Sequence, residues 1–144
     1  MIRMDVLCVF VTVKSGPSLV VNPSKQTPVV GEVNIARYLA RQLTPRYDDS
    51  DIVTATQIDT LLDHAAVLLH GSGDIAGALK SLGQQLGKKK WFVGNDRPSM
   101  ADIVIWSAVK QCHLAATAPD NVRQWLARCD MLPECANAGR LLLL

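Results

Sequence analysis

The 144-residue chain lacks any uninterrupted apolar run near the ~20 residues that a membrane-spanning helix needs, which excludes an ordinary helical membrane protein. Its start, Met1-Ile2-Arg3-Met4-Asp5, has no long apolar stretch with a small-residue cleavage site, so a secretory signal is not expected. Net charge is scarce. Fifteen basic and 13 acidic residues leave +2, too balanced a surface to argue for nucleic-acid binding. There is no C-x-x-C pair, no internal repeat and no low-complexity segment. The four cysteines, Cys8, Cys112, Cys129 and Cys135, read as reduced, the first three as small core hydrophobes. The group Cys112, His113, Cys129 and Cys135 matches no common zinc spacing, so no metal is expected. Reduced thiols point to the cytoplasm, with the nucleus as a second location. What is present is 49% hydrophobic and 19% charged residues. That is a globular composition, and a chain of this length can bury roughly 70% of its unfolded surface.

The first 30 residues read as β. Val6-Leu7-Cys8-Val9-Phe10-Val11-Thr12-Val13 is β-branched and aromatic. A Gly16-Pro17 turn leads to Leu19-Val20-Val21, predicting an antiparallel hairpin between these two runs. Residues 22–28 read as a polar loop. From Gly31 onward the pattern is helical. Ile35, Leu39 and Leu43 recur every fourth residue as an apolar stripe, with Arg37, Tyr38, Arg41 and Gln42 on the other side and Pro45 as a stop. A second helix follows an acidic cap ending at Asp51 and carries Ala55, Ile58, Leu62, Ala65 and Leu69. A third runs from Ile75 to Leu86, closed by Gly87. Ser99 to Ala115 leaves almost no polar face, which predicts a helix buried all round. Asn121 to Cys129 forms a fifth helix, and a last one runs toward Leu144. The composition changes near residue 45, dividing the chain into lobes at 1–45 and 46–144.

Ser99-Met100-Ala101-Asp102 has capping-box spacing. The Ser99 hydroxyl and the Asp102 carboxylate can each satisfy a backbone N–H at the head of the buried helix. Its role is read as structural, and no catalytic residue is assigned. Lys88-Lys89-Lys90 reads as a solvated loop.

The stretch from Gly94 through Asn95-Asp96-Arg97-Pro98-Ser99-Met100-Ala101-Asp102 to Ile103 resembles the box at the head of the central C-terminal-lobe helix in glutathione transferases. Gly31-Glu32-Val33-Asn34-Ile35-Ala36-Arg37-Tyr38-Leu39 resembles the last helix of that family's thioredoxin lobe. The two motifs stand in the family's order, about the right distance apart. The resemblance implies a mostly α fold with a small β part: a truncated thioredoxin-like lobe over 1–45, then an all-helical lobe over 46–144. It also implies a lost activity. The family holds the γ-glutamyl end of glutathione with a Glu-Ser pair, and here those positions are Gly31 and Glu32. An acid in place of the serine repels the ligand carboxylate and offers no hydroxyl. Only 30 residues precede Gly31, so the strand that bears the transferases' catalytic residue has no counterpart. Met4-Asp5-Val6 stands where the family has its cis-proline. No cofactor is therefore expected.

A narrower resemblance is to the transferase-like scaffold domains of the multi-aminoacyl-tRNA synthetase complex. It is carried by Gly31 to Leu39, by Ala78-Leu79-Lys80-Ser81-Leu82, by Trp91 with Gly94-Asn95, by Ala101 to Ser107, and by Asn121-Val122-Arg123-Gln124-Trp125. It implies a non-catalytic adaptor that binds related domains end to end through two surfaces. The first would use Asn34, Arg37, Tyr38, Arg41 and Gln42 with Gln57, Thr60 and His64. The second would use Asp120, Asn121, Arg123, Gln124 and Arg128. Implied partners are the transferase-like domain of glutamyl-prolyl-tRNA synthetase and aspartyl-tRNA synthetase. Methionyl-tRNA synthetase and its small transferase-like partner would join indirectly. Such a scaffold recruits lysyl-tRNA synthetase through an N-terminal extension that has no counterpart in this sequence, which leaves that partner open. Two other readings are a glutathione-dependent transferase with an atypical site and a tRNA-binding accessory using Lys88 to Lys90.

Overall fold

The computed structural model describes residues 16–136, apart from 23, 44, 45, 50, 72, 95 and 134. The strand expected at 6–13, the 4–6 position and the leucines at 141–144 lie outside the described residues. Strands β1 (Ser18–Leu19) and β2 (Val29–Val30) pair antiparallel, with Ser18 opposite Val30 and Leu19 opposite Val29. The described ladder spans the polar loop, and the hairpin expected between 6–13 and 19–21 lies outside the described residues. Asn22 folds that loop: its carbonyl accepts from Lys25 N (3.2 Å) and Gln26 N (3.0 Å), which delivers a β-branched valine pair alongside β1. Gly31, with φ 90°, then turns the chain into α1 (Glu32–Ala40), while its N–H donates to Pro17 O at 2.8 Å.

Helix α1 does not sit on its Ile35-Leu39-Leu43 stripe. Leu39 and Leu43 are 40% and 66% exposed, whereas Val33 and Ala40 are buried. The inward face is Val33, Arg37 and Ala40, spaced four and three apart. Arg37 decides this orientation, because its acidic partners lie on α2 (Ile52–His70). Asp51 caps α2, accepting from Val53 N and Thr54 N, both at 3.0 Å, and Gly71 ends it at φ 60°. By length and composition α2 is long and apolar enough to cross a membrane. It nevertheless carries Asp59 and Asp63 and buries Ile58, Leu61, Leu62, Ala65 and Leu68 in the protein core, which marks it as a core helix.

Helix α3 (Ile75–Leu86) is capped by Asp74, which accepts from Gly77 N at 2.8 Å, and buries Leu79, Leu82 and Leu86. Helix α4 (Met100–Gln111) is shorter than expected. His113 adopts left-handed φ 54°, and residues Leu114–Ala116 form a single 3-10 turn. Nor is α4 buried all round: Ile103 is 45% exposed, while Ala101, Ile105, Ala108 and Val109 are fully enclosed. Helix α5 (Asp120–Asp130) buries Val122, Trp125, Leu126 and Cys129.

The most extensive helix contact is α2 on α4. The fully buried alanines Ala65, Ala101 and Ala108 suit it, because small side chains let helix backbones approach. Cys129 and Cys135 are buried, and burial pushes the Cys129 thiol well above its usual range. Cys112 is only half-buried, and its Sγ lies 3.3 Å from Leu68 O. Of the expected last helix, Cys135 and Ala136 are described in helical conformation.

Candidate functional site

Three polar clusters carry the residues singled out by the sequence. The first is at the head of α4. Ser99 and Asp102 close the capping box, with Ser99 N–H donating to Asp102 Oδ2 at 2.8 Å and the Ser99 hydroxyl donating to the same oxygen at 2.7 Å. The carboxylate does more than the spacing indicates. Its other oxygen accepts from Phe92 N (3.0 Å) and from the Trp125 indole N–H (2.9 Å). Asp102 is 0% exposed, and four donors from the 91–99 loop and α5 satisfy it without a paired cation. The Trp125 ring in turn meets Phe92 edge-on, with centroids 4.9 Å apart. This carboxylate is a structural joint. Each of its oxygens accepts two hydrogen bonds inside the fold.

The second cluster lies between α1 and α2. Arg37 Nε donates to Asp59 Oδ1 at 3.0 Å, and its Nη2 donates to Asp63 Oδ1 at 2.9 Å and to Asp59 O at 3.3 Å. Burial works against the Arg37 charge, but the hydrogen bonds to Asp63 and Asp59 outweigh it, so the pKa is raised. Arg41 Nε donates to Asp48 Oδ2 at 2.7 Å, and its guanidinium lies over the Tyr47 ring at 5.4 Å. That hydrogen bond holds the Asp48 carboxyl below its usual range. Asn34, Arg37, Tyr38, Arg41 and Gln42 then line one surface depression of about 510 Å³, together with Val29 and Arg46. So the α1 members of the first expected surface come together, but the α2 members do not join them. Thr60 Oγ1 donates to Thr56 O (2.9 Å) along its own helix. His64 turns toward α3: its Nδ1 lies 2.7 Å from Thr60 O, and its Nε2 3.2 Å from Ser81 Oγ. A carbonyl only accepts, so Nδ1 carries the proton and Nε2 takes the Ser81 hydroxyl. Gln57 is exposed away from the depression. Sequence reasoning missed Asp59 and Asp63, whose i,i+4 spacing on α2 was the available signal, and Arg46.

The third cluster is on α5. Asn121 is a clamp: its side-chain amide donates to Gly83 O (2.7 Å) and Gly87 O (3.1 Å), satisfying the C-terminal carbonyls of α3. Gly83 permits this approach, since a Cβ there would lie 3.1 Å from the Pro119 ring. Arg128 Nη1 donates to Lys90 O at 2.6 Å and stacks over buried Trp91 at 6.0 Å. Asp120 pairs with Arg123 within the first turn, and Gln124 is exposed. Among the described residues no group of three or more His, Cys, Asp or Glu is arranged to hold a metal ion.

The Glutathione S-transferase, C-terminal domain family matches residues 51–128, from the Asp51 cap of α2 to Arg128 on α5, with the Ser99–Asp102 box inside that span. The chain belongs to this family. It is also 35% identical over 134 residues to the mouse (Mus musculus) aminoacyl tRNA synthase complex-interacting multifunctional protein 2, covering 90% of this chain and 41% of that protein. The human (Homo sapiens) protein of that name is 35% identical over 118 residues, 80% of this chain and 36% of that protein. The cattle (Bos taurus) protein is 36% identical over the same shares. The chain thus spans about two fifths of the length of the curated relatives it matches. Gly31, the position where the resemblance expects the first of the Glu-Ser pair, has positive φ and no side chain, and Glu32 opens α1.

Proposed function

We propose that this chain is a non-catalytic adaptor domain that helps assemble a multi-aminoacyl-tRNA synthetase complex through transferase-like surfaces, in the cytoplasm. The observation that carries the reading is its similarity, across 90% of its length, to proteins named for interaction with that complex. Two features support it. The α1 depression is open and arginine-lined, as suits a protein contact. The Gly31-Glu32 step offers no hydroxyl for glutathione. The proposed partner is the transferase-like domain of glutamyl-prolyl-tRNA synthetase on the α1 side. Aspartyl-tRNA synthetase is a further contact, and methionyl-tRNA synthetase with its small transferase-like partner joins indirectly.

The test is light scattering on a sizing column. The chain is mixed with the transferase-like domain of glutamyl-prolyl-tRNA synthetase, and each is run alone as a control. A peak at the summed mass is expected. Two separate peaks at tens of micromolar would overturn the assignment of that partner. Retention on immobilised glutathione would overturn the non-catalytic reading.

A further inference from the structure

The depression beside α1 has three guanidinium groups in its wall, from Arg37, Arg41 and Arg46, and no acid. The acids that balance the first two stand behind it, on α2 and in the 46–49 turn. Arg37 is held by Asp59 and Asp63, and its side chain is only 20% exposed. Arg41, 49% exposed, is held by Asp48. Arg46 differs: it is exposed and, among the described residues, forms no ion pair. Asp48 feels its charge, but Arg41 holds the hydrogen bond. Next in the chain to lining residues stand the exposed apolar side chains Val30, Leu39 and Leu43, at 53%, 40% and 66%. A cationic wall that also carries Val29 and Tyr38 is the pattern of a protein contact rather than of a site for a small free anion.

We infer that this depression receives a carboxylate side chain from an acidic segment of a partner protein, with Arg46 as the guanidinium that binds it and Arg41 adding field. Arg37 serves as an internal strut. This deepens the adaptor reading and rests on it for the partner's identity, but the charge preference stands on the groove itself. Binding should weaken steeply with salt, as for an exposed charge pair.

The experiment has two arms, each with wild type, Arg46→Glu and Arg46→Lys. Circular dichroism melts confirm that each variant is folded. In the first arm, isothermal titration uses the transferase-like domain of glutamyl-prolyl-tRNA synthetase. In the second, an acetylated hexaglutamate peptide is titrated and followed by the amide NMR shifts of α1. Arg46→Glu should weaken both by about tenfold or more, and Arg46→Lys by much less. Peptide binding lost in Arg46→Glu without any synthetase binding by wild type would uphold the groove and overturn the adaptor assignment. Synthetase binding unchanged within twofold in Arg46→Glu, or no α1 shifts with peptide, would overturn the groove. Displacement of the peptide by inorganic phosphate at matching concentration would overturn the protein-partner inference in favour of a small-anion site.

Discussion

Two carboxylate clusters solve opposite problems in this molecule. Asp102 is fully buried and takes four uncharged donors, from Ser99, Phe92 and Trp125. Asp59 and Asp63 are 43% and 73% exposed and take one arginine between them. A buried anion without its donors carries its full desolvation cost, so the Asp102 joint is all-or-none. An exposed ion pair is screened and worth little, so the Arg37 strut orients α1 more than it stabilises the domain. The first cluster ties the fold together, and the second leaves a surface that can be remade for a partner.

The sharpest way to break the contrast is Asp102→Ala, which strands the Phe92 N–H and the Trp125 indole. A loss of about 3 kcal/mol or more is expected in urea unfolding. Asp102→Asn should lose less, because Oδ1 still accepts while the amide meets two donors. Equal losses from the two variants would mean that charge, not donor count, sets the cost. Trp125→Phe removes one of those hydrogen bonds and is expected to cost about 1–2 kcal/mol. Trp91→Phe offers the matched control. Trp91 is equally buried, but its indole N–H has no acceptor among the described residues. Its replacement should therefore cost clearly less than that of Trp125, measured by the same urea unfolding.

Next in size is Arg37→Ala. Both of its ion pairs are partly exposed, and at most about 1 kcal/mol should be lost. The loss should shrink further in 0.5 M salt, whereas the Asp102→Ala loss should not. Amide exchange on α1 should rise in the variant, because the strut is what fastens α1 to α2.

The contrast also explains what the sequence could reveal. The Ser99–Asp102 box, the Asp51 cap, the third helix over 75–86 and its Gly87 stop follow from local spacing and local hydrogen bonds, and all are present. The third and fourth donors to Asp102 were not legible. Phe92 and Trp125 are ten and 23 residues away and meet only through folding. The α1 stripe misled for a related reason. Periodicity ranked Leu39 and Leu43 as inward, but Val33 and Ala40 take the buried face of this short helix, and Arg37 between them meets two acids on α2. Three of the expected surface residues already hold partners within the chain: Arg37 of α1 meets Asp59 and Asp63, His64 of α2 lies beside Ser81, and Asn121 of α5 bonds the end of α3. Polar residue type alone does not separate a free anchor from an occupied one.

The smallest effect expected concerns Asp51, the exposed counterpart of Asp102 as a helix cap. Hydrogen bonds from the Thr54 hydroxyl and N–H, together with that from Val53 N, hold its carboxyl below the usual aspartate range. A folded-state pKa below the unfolded one means that the cap contributes fully above the unfolded value. Its contribution is lost as the pH falls through the lowered folded-state value. Asp51→Asn keeps an accepting oxygen but cannot titrate. The difference in melting temperature between wild type and Asp51→Asn should thus favour wild type at neutral pH and shrink steadily below pH ~4. A gap that stays constant for Asp51 from pH 7 down to the acid limit would show that its cap works through geometry alone, and that the exposed and buried carboxylates differ less than their surroundings indicate.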